Sequence, residues 1–442
     1  MLTAKSRTIR LKLLILTQQP EITKLVDHLF RHESGKMVAV LARIFGMENL
    51  DLAEDVVQDS LMEAMSQWQY KGIPGNPSAW LFRVAKNKAL NILNHEKYKR
   101  KYSSDVAHYL QSEWTVEPAL NHLFSEQQIQ DDQLRMIFTC CHPSISPDSQ
   151  IALALKTLCG FSIPEIAKAF LTNDETINKR LVRARQKIRD DKILFEVPQE
   201  KELAKRLQTV LETIYLLFNE GYSASKGNDI IRYELCEEAI RLTKIISDDK
   251  TIQQKENVFA LLSLMYLNAS RFKARQDNEG NILTMAEQDR SLWDKQMINI
   301  GLNYLNEATK NGEVGVYHTL ATISAHHSIA ADFNATNWNG ILSLYNHLTL
   351  LDHSPLVLLN RTIAIFKVNG AQSAIAEIEK IENLPSLQKY HLLYSTKAEF
   401  YIQLEQWDKA TEYLKKAIDL SSIQAEKELL QRKFDSCSEK LF

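Results

Sequence analysis

Apolar residues recur every three or four positions along most of the chain, with polar and charged residues between them. This spacing places the apolar side chains on one face of an α-helix. Long runs of alternating β-branched residues, which would predict strands, do not occur in the sequence. Glycine and proline are sparse, at 13 and 10 of 442 residues. The pattern therefore predicts an all-α fold.

One stretch has the pattern of two helices joined by a short turn. Pro164 to Phe170 predicts a short amphipathic helix and Leu171 to Asn173 a tight turn, after which Thr172 or Asp174 would cap a second helix. That helix is predicted to bury Ile177, Leu181, Ala184 and Ile188. Its open face would carry Lys179, Arg180, Arg183, Arg185, Lys187 and Arg189. Such a pair is the sequence form of a helix-turn-helix, although a solvated basic helix in an all-helical protein shows the same pattern.

Two further predicted helices, Asp51–Trp68 and Ser78–Lys101, differ in the charge of their outer faces. The first is acidic outside and the second is basic almost without acid. The predicted apolar face of the first consists of Leu52, Val56, Leu61, Met62 and Met65. That of the second consists of Trp80, Leu81, Val84, Ala85, Ala89 and Ile92. A packed core explains these apolar positions but does not explain the separation of charge.

Composition places the chain among cytosolic proteins that bind nucleic acid with one part. The net charge is only −2, but residues 1–196 are mildly basic and the remainder is mildly acidic, which indicates nucleic-acid contacts in the front of the chain. The five cysteines form no disulfide framework, as expected in a reducing cytoplasm. The apolar run Leu11–Leu16 is too short to span a bilayer, so no membrane contact is predicted.

Several stretches of the sequence carry a resemblance to a known family. DLAEDVVQDSLMEAMSQW followed by NPSAWLFRVAKNKALNIL resembles the second conserved domain of bacterial sigma factors, and residues 160–189 resemble the fourth. The sequence shows no resemblance to the other sigma domains, and in this it is similar to the compact extracytoplasmic-function group. DDQLRMIFTCCHP, YLLFNEGYSAS, QDRSLWD and HLLYSTKAEF extend the resemblance to the branch with a fused tetratricopeptide-like C-terminal domain.

The domains expected from pattern and resemblance follow one another without overlap. They are a leader (1–19), a sigma region 2 domain (20–101), a linker (102–128), a region 4 helix-turn-helix domain (129–196) and a helical C-terminal domain (197–442). In the last domain, Asn219 and Gly221 predict a left-handed turn after one long helix. The positions that match a tetratricopeptide unit are Tyr394, Ala398, Tyr401, Ala410, Leu414 and Ala417.

The resemblance implies a transcription initiation factor that binds core RNA polymerase and promoter DNA, performs no catalysis and needs no cofactor. Its implied regulator is the C-terminal repeat domain, with a protein or peptide as a candidate partner of the repeats. The implied polymerase-binding residues are Asp51, Glu54, Asp55, Gln58 and Asp59. Those for the −10 element are Tyr70, Lys71, Asn76, Arg83, Lys86, Asn87 and Lys88. Those for the −35 element are Glu175, Asn178, Lys179, Arg180, Arg183 and Arg185.

Other chemistry finds little support in the sequence. Cys140-Cys141-His142 lacks the two-residue spacing that lets two thiolates share a zinc ion, so burial at a helix end is the favoured interpretation. Trp68 and Trp80 continue apolar stripes and are interpreted as core. No motif for a hydrolase, metalloprotease or phosphate loop occurs. A DNA-binding regulator with a helical sensor remains an alternative, but it would not need the acidic helix beside the basic one, and a helical enzyme lacks a catalytic set.

Overall fold

The structure is a computed structural model that describes residues 25, 29, 33–94, 122–170, 172–222, 231–277, 279–310, 314–421 and 423–441. In these residues the regular secondary structure is helical, without a strand, which confirms the all-α prediction. The chain divides into two compact units, Met1–Ile214 and Tyr215–Phe442. The predicted leader, 1–19, lies outside the described residues, as do residues 95–121 of the predicted third helix and linker.

The first unit is built from helices around one buried core. Residues 33–45 are helical, and a 3-10 turn, Met47–Asn49, follows. The next helices are α1 (Leu50–Lys71), α2 (Pro77–Asn94), α3 (Glu126–Cys140), α4 (Pro147–Thr157), α5 (Ile163–Ala169) and α6 (Asp174–Asp190). Helix α7 (Glu200–Tyr222) contains the boundary between the two units. The end of the predicted linker is corrected here, because residues 126–128 already belong to α3.

The helix-turn-helix forms as predicted, with a different cap. Ser162 and Glu165 cap α5 reciprocally, since the Ser162 backbone N–H donates to the Glu165 carboxylate and the Glu165 N–H donates to the Ser162 hydroxyl. Helix α6 is capped by Asn173, whose side-chain oxygen accepts from the Thr176 N–H at 2.8 Å. The predicted caps Thr172 and Asp174 were therefore one residue off on either side.

The second unit continues with helices to the end of the described chain. They are α8 (Tyr233–Asp248), α9 (Glu256–Ala269), α10 (Lys295–Ala308), α11 (Val316–Ile329), α12 (Trp338–Leu351), α13 (Pro355–Ile378), α14 (Pro385–Gln388), α15 (His391–Gln403), α16 (Trp407–Leu420) and α17 (Gln424–Ser438). Helix α13 is kinked at Gly370, whose φ of 82° is left-handed. One hydrophobic cluster includes Ala398 and Tyr401 of α15 and Ala410, Leu414 and Ala417 of α16. None of the described helices has the length and apolar character that crossing a membrane requires.

The predicted turn at Asn219 and Gly221 was wrong. Helix α7 runs through both residues to Tyr222, and Gly221 does not have a positive φ. A Cβ at Gly221 would lie 2.7 Å from the Cys236 Sγ. The glycine at this position therefore permits close helix packing rather than a turn.

Candidate polymerase-binding and DNA-binding surfaces

The acidic residues of α1 share one face of the helix. Positions 51, 54, 55, 58 and 59 fall within a sector about 140° wide. Asp55, Gln58 and Asp59 are exposed, and the Asp51 side chain is 62% exposed. The Glu54 side chain is only 17% exposed. This face therefore presents carboxylates to solvent along two turns, with Glu54 at its covered edge.

The buried face of α1 differs from the predicted one. Met62 and Met65 are exposed, by 62% and 37%, and Leu52 is half-buried. The buried positions are Leu50, Ala53, Val56, Val57, Ser60, Leu61, Ala64 and Trp68. The small residues at 53, 60 and 64 are thus buried where the prediction had placed the methionines.

The candidate −10 residues cluster around the loop between α1 and α2. Tyr70 is 82% exposed near the end of α1, and Lys71 is exposed beside it. Gly72 then reverses the chain with a φ of 80°. The Asn76 side-chain oxygen accepts from the Ala79 N–H at 2.9 Å, so Asn76 caps α2. The loop thus offers one large exposed aromatic ring next to a cation.

Helix α2 carries its basic residues outward. Arg83 and Asn87 are exposed and Lys86 is half-buried. Lys88 lies 3.0 Å from the Glu63 carboxylate of α1. Since this pair is partly solvated, it holds the two helices together only weakly.

The two tryptophans pack against each other beneath this surface. Trp68 is 1% exposed, which confirms its interpretation as core, while Trp80 is half-buried. Their ring centroids lie 5.4 Å apart in an edge-to-face arrangement. Trp80 therefore belongs to the rim of the core.

Helix α6 buries the stripe that the sequence predicts. Ile177, Leu181, Ala184 and Ile188 are its buried residues. The opposite face exposes Glu175, Asn178, Lys179, Val182, Arg183 and Gln186. Lys179 and Glu175 form an ion pair of 2.7 Å on this face. The centre of the face that would enter a DNA groove is therefore accessible.

Two arginines flank the buried stripe and contact other helices. Arg180 pairs with Asp148 of α4 at 2.8 Å. Arg185 was predicted on the open face, but its side chain is only 16% exposed. Four residues after Leu181, at about 100° per residue, Arg185 lies at the edge of the stripe. The prediction that Arg185 lies on the open face was therefore wrong, because it considered the charge of the residue and not its angular position on the helix.

The Arg185 guanidinium binds the acidic face of α1. One nitrogen lies 2.8 Å from the Asp51 carboxylate, and the other lies 2.9 Å from both oxygens of Glu54. Burial raises the pKa of Glu54, while the neighbouring Arg185 and Lys156 oppose that rise. The guanidinium thus bridges two carboxylates, and at this exposure its charge-assisted hydrogen bonds are screened less than those of a fully solvated surface pair. Arg185, a candidate DNA-binding residue, thus forms ion pairs with Asp51 and Glu54, which are candidate polymerase-binding residues.

Cys140 and Cys141 lie at the end of α3 and are fully buried, which confirms that interpretation. The Cys140 thiol lies 3.2 Å from the Thr157 hydroxyl. Burial raises the pKa of the Cys141 thiol to about 12, so it is protonated at neutral pH. Within the described residues, no group of three or more His, Cys, Asp or Glu side chains is arranged to hold a metal ion.

Comparison with known proteins divides the chain into three matched segments. Residues 29–98 match sigma-70 region 2, and residues 135–188 match sigma-70, region 4. Residues 206–309 match a family of unknown function, DUF6596.

The chain is also similar to one relative over most of its length and to others over about a third of it. An uncharacterized protein of Rhizobium meliloti (strain 1021) is 34% identical over 359 residues, 81% of this chain and 84% of that protein. The ECF RNA polymerase sigma-E factors of Salmonella typhimurium (strain LT2) and Salmonella typhi are 30% identical over 140 residues, 31% of this chain and 72% of each relative. The chain therefore belongs to the sigma-70 family, whose region 2 and region 4 it carries in that order before a DUF6596 segment.

Proposed function

We propose that this protein is a sigma factor of the extracytoplasmic-function group, acting in the cytoplasm, that binds core RNA polymerase and directs initiation at −35 and −10 elements. The observation that carries the proposal is the division of charge between adjacent helices of one sigma unit. Helix α1 presents carboxylates to solvent, while α2 and the centre of α6 present basic and amide groups. Carboxylates suit a basic protein partner, and cations suit phosphates.

The test of this function is run-off transcription with purified core polymerase, with and without the protein. Promoter-dependent transcripts should appear only when the protein is present. A protein that binds promoter DNA but yields no transcript with core polymerase would be the DNA-binding regulator instead.

The docking surface is tested by reversing charges that have no other role in the described contacts. Asp55→Lys combined with Asp59→Lys should abolish co-purification with core polymerase, because both residues are exposed on α1. The matched control is Asp408→Lys combined with Asp419→Lys on exposed positions of α16. Normal association of the α1 double variant would refute the surface.

The −35 surface is tested on the exposed centre of α6. Lys179→Ala or Arg183→Ala should weaken promoter binding by about 1–3 kcal/mol if the side chain contacts a base edge. A phosphate contact would instead lower binding to all sequences and reduce the salt slope by about one. Lys205→Ala, an exposed lysine of α7, is the control. Unchanged binding in both α6 variants would show that α6 does not read the element.

We further propose that the helical region after residue 197 controls this activity and carries tetratricopeptide-like repeats that accept a protein or peptide. The α15 and α16 pair supports the repeat, because its small and aromatic positions form one packed cluster. Promoter activity in cells should differ between the full chain and a chain that lacks this region. Equal activity under every condition tried would remove the regulatory part of the proposal.

A further inference from the structure

The region 2 and region 4 segments are held against each other within the first unit. Besides the Arg185 contacts, α6 packs on the 3-10 turn Met47–Asn49. Arg43 donates to the side chains of Gln128 and Asp132 on α3. A Cβ at Gly35 would lie only 2.1 Å from the Leu158 carbonyl oxygen that follows α4. Region 4 therefore contacts region 2 through both ion pairs and close backbone packing.

This arrangement is incompatible with simultaneous promoter contacts. The −35 and −10 elements are about 25 base pairs apart, and at about 3.4 Å per base pair they lie about 85 Å apart on the DNA. Helix α6 in the −35 groove and α2 at the −10 element would have to be separated by a similar distance. In the structure, Arg185 of α6 is 2.9 Å from Glu54 of α1, which is packed on α2.

We infer that the described unit is a closed state in which Arg185, Asp51 and Glu54 form a latch between the DNA-reading helix and the polymerase-binding helix. The inference rests on the proposed function. Polymerase that binds the α1 carboxylates displaces Arg185, and DNA phosphates that bind Arg185 displace the carboxylates, so each partner weakens the latch. The 31 residues between Asn94 and Glu126 can span about 100 Å when extended, which is enough for the open state.

Energy transfer within the full chain tests the latch without polymerase or DNA. Dyes are attached at Met65→Cys and Gln186→Cys, both exposed, since the five native cysteines are buried. Transfer should be high in this parent, fall in Arg185→Glu, and recover when Glu54→Arg is added to Arg185→Glu. Lys187→Glu reverses a charge on the same helix that pairs with Asp191 and should leave transfer unchanged.

Transfer that is equal in the parent and in Arg185→Glu would overturn the latch, whatever the protein does in transcription. If Arg185→Glu fails to fold, Arg185→Gln replaces it with the same expected direction. Core polymerase should lower transfer in the parent. Polymerase that binds while transfer stays high would also overturn the latch, and failure to bind would bear on the proposed function alone.

A second, independent observation concerns a cavity of about 430 Å³ in the second unit. It is formed at the start of α10 and the end of α11, and no acidic residue lines it. The polar and aromatic lining residues are Arg290, Ser291, Trp293, Lys295, Asn299 and Ser328.

Two guanidiniums at this place lack a carboxylate partner within the described residues. Arg271 and Arg290 stack on the Trp293 ring, with guanidinium carbons 5.1 and 4.7 Å from its centroid. Arg271 donates to the Gln288 side chain, and Arg290 donates to the carbonyls of His327 and Ala330. Neither arginine forms an ion pair in the described part of the chain, although Asp332 lies near enough to act on Arg290 electrostatically.

Asp332 acts on Arg290 without forming an ion pair with it, and the histidine beside the two arginines adds no charge. Burial and the two arginines lower the pKa of His327 to about 3, so this histidine is neutral. The Trp293 ring nitrogen is buried and has no hydrogen-bond acceptor in the part of the chain that the structure describes. Guanidiniums removed from water normally have an anion or a full set of acceptors nearby.

We propose that this cavity binds a small polyanion, a phosphorylated or polycarboxylate metabolite, with Lys295, Ser291 and Asn299 as direct contacts and the two arginines as the positive field. Charge-assisted hydrogen bonds to phosphate or carboxylate oxygens are the strong polar contacts available to these groups. The volume is in the usual range of small-molecule sites.

Calorimetric titration of the full chain with pyrophosphate and, separately, citrate tests the site. At least one anion should bind saturably, and the difference between the two identifies the class. Binding should be lost in Lys295→Glu and retained in Lys310→Glu, an exposed lysine just after α10 that pairs with Glu307. No saturable binding of either anion, or equal binding in both variants, would overturn the proposal.

Discussion

At the scale of single residues, Asp132 of the first unit is a carboxyl group that the fold removes from water. It is fully buried on α3 and faces Arg43 and Arg135, and one of its oxygens has no hydrogen-bond partner among the described residues. Burial raises its pKa from 3.8 to about 6 in spite of the two arginines. The native state therefore favours the protonated carboxyl more than the unfolded state does.

We expect Asp132→Asn to raise the free energy of unfolding by about 2 kcal/mol at pH 7.5. The pKa of Asp132 is higher in the folded state than in the unfolded state. The stability that this carboxyl contributes to the fold is therefore present below about pH 4 and is lost as the pH rises through about 6. Asparagine is neutral throughout, and both arginines keep partial access to water. Urea unfolding at pH 5 and pH 7.5 measures the difference, which should shrink at the lower pH.

The neighbouring Asp131→Asn is the control for Asp132→Asn, since Asp131 is not fully buried. The effect of Asp131→Asn on the free energy of unfolding should differ little between pH 5 and pH 7.5. If Asp132→Asn destabilises the protein at pH 7.5, the ion pairs outweigh the burial of the charge.

At the scale of helices, the sequence could predict what depends on local period. The buried stripe of α6 and the burial of Trp68 both follow from helical spacing, and both are present. The inward turn of Arg185 could not be predicted, because its partner Glu54 is 131 residues away. Met62 and Met65 were placed inside because they are apolar, yet they are exposed and the smaller Ala53 and Ala64 are buried.

Glycine roles show the same limit. Gly221 suggested a turn from its residue type, although its use in the structure is close contact with Cys236 of another helix. Gly35 lies inside the helix of residues 33–45 and against the backbone at Leu158, a role that its residue type alone does not show. A local pattern shows that a residue is small, whereas only the tertiary arrangement shows what fills the adjoining space.

The contact at Gly35 yields a prediction for the helix formed by residues 33–45. A Cβ there would meet backbone rather than a flexible side chain, so Gly35→Ala must separate this helix from the end of α4. We expect a loss of about 1–3 kcal/mol in the free energy of unfolding of the first unit. Gly75→Ala is the control, because nothing lies within 4 Å of a Cβ at that position. Equal unfolding midpoints in the two variants would contradict the close packing.

At the scale of the whole molecule, domain boundaries were the hardest feature to place from sequence. The change of character after Val197 suggested that the region 4 domain ends at 196. The compact first unit continues to Ile214, and the DUF6596 match begins at residue 206. Residues of α7 contribute to this unit through specific bonds. Arg206 donates to the Phe138 carbonyl at 2.7 Å, and Thr213 donates to the Gln150 side chain at 2.8 Å.

These contacts lead to a prediction about truncation. A chain ending at Val197 loses Leu207, Val210, Leu211 and Ile214, which are all buried, whereas a chain ending at Ile214 keeps them. Burying one such side chain stabilises a fold by about 1.5–3 kcal/mol, and a domain is stable by only about 5–15 kcal/mol in total. We therefore expect residues 1–214 to unfold cooperatively on heating and residues 1–197 to melt at least 10 °C lower or to aggregate. Thermal denaturation followed by circular dichroism compares them. If the two chains melted together, the first turns of α7 would be dispensable for the sigma unit, and its boundary would lie at 196 as the sequence pattern suggested.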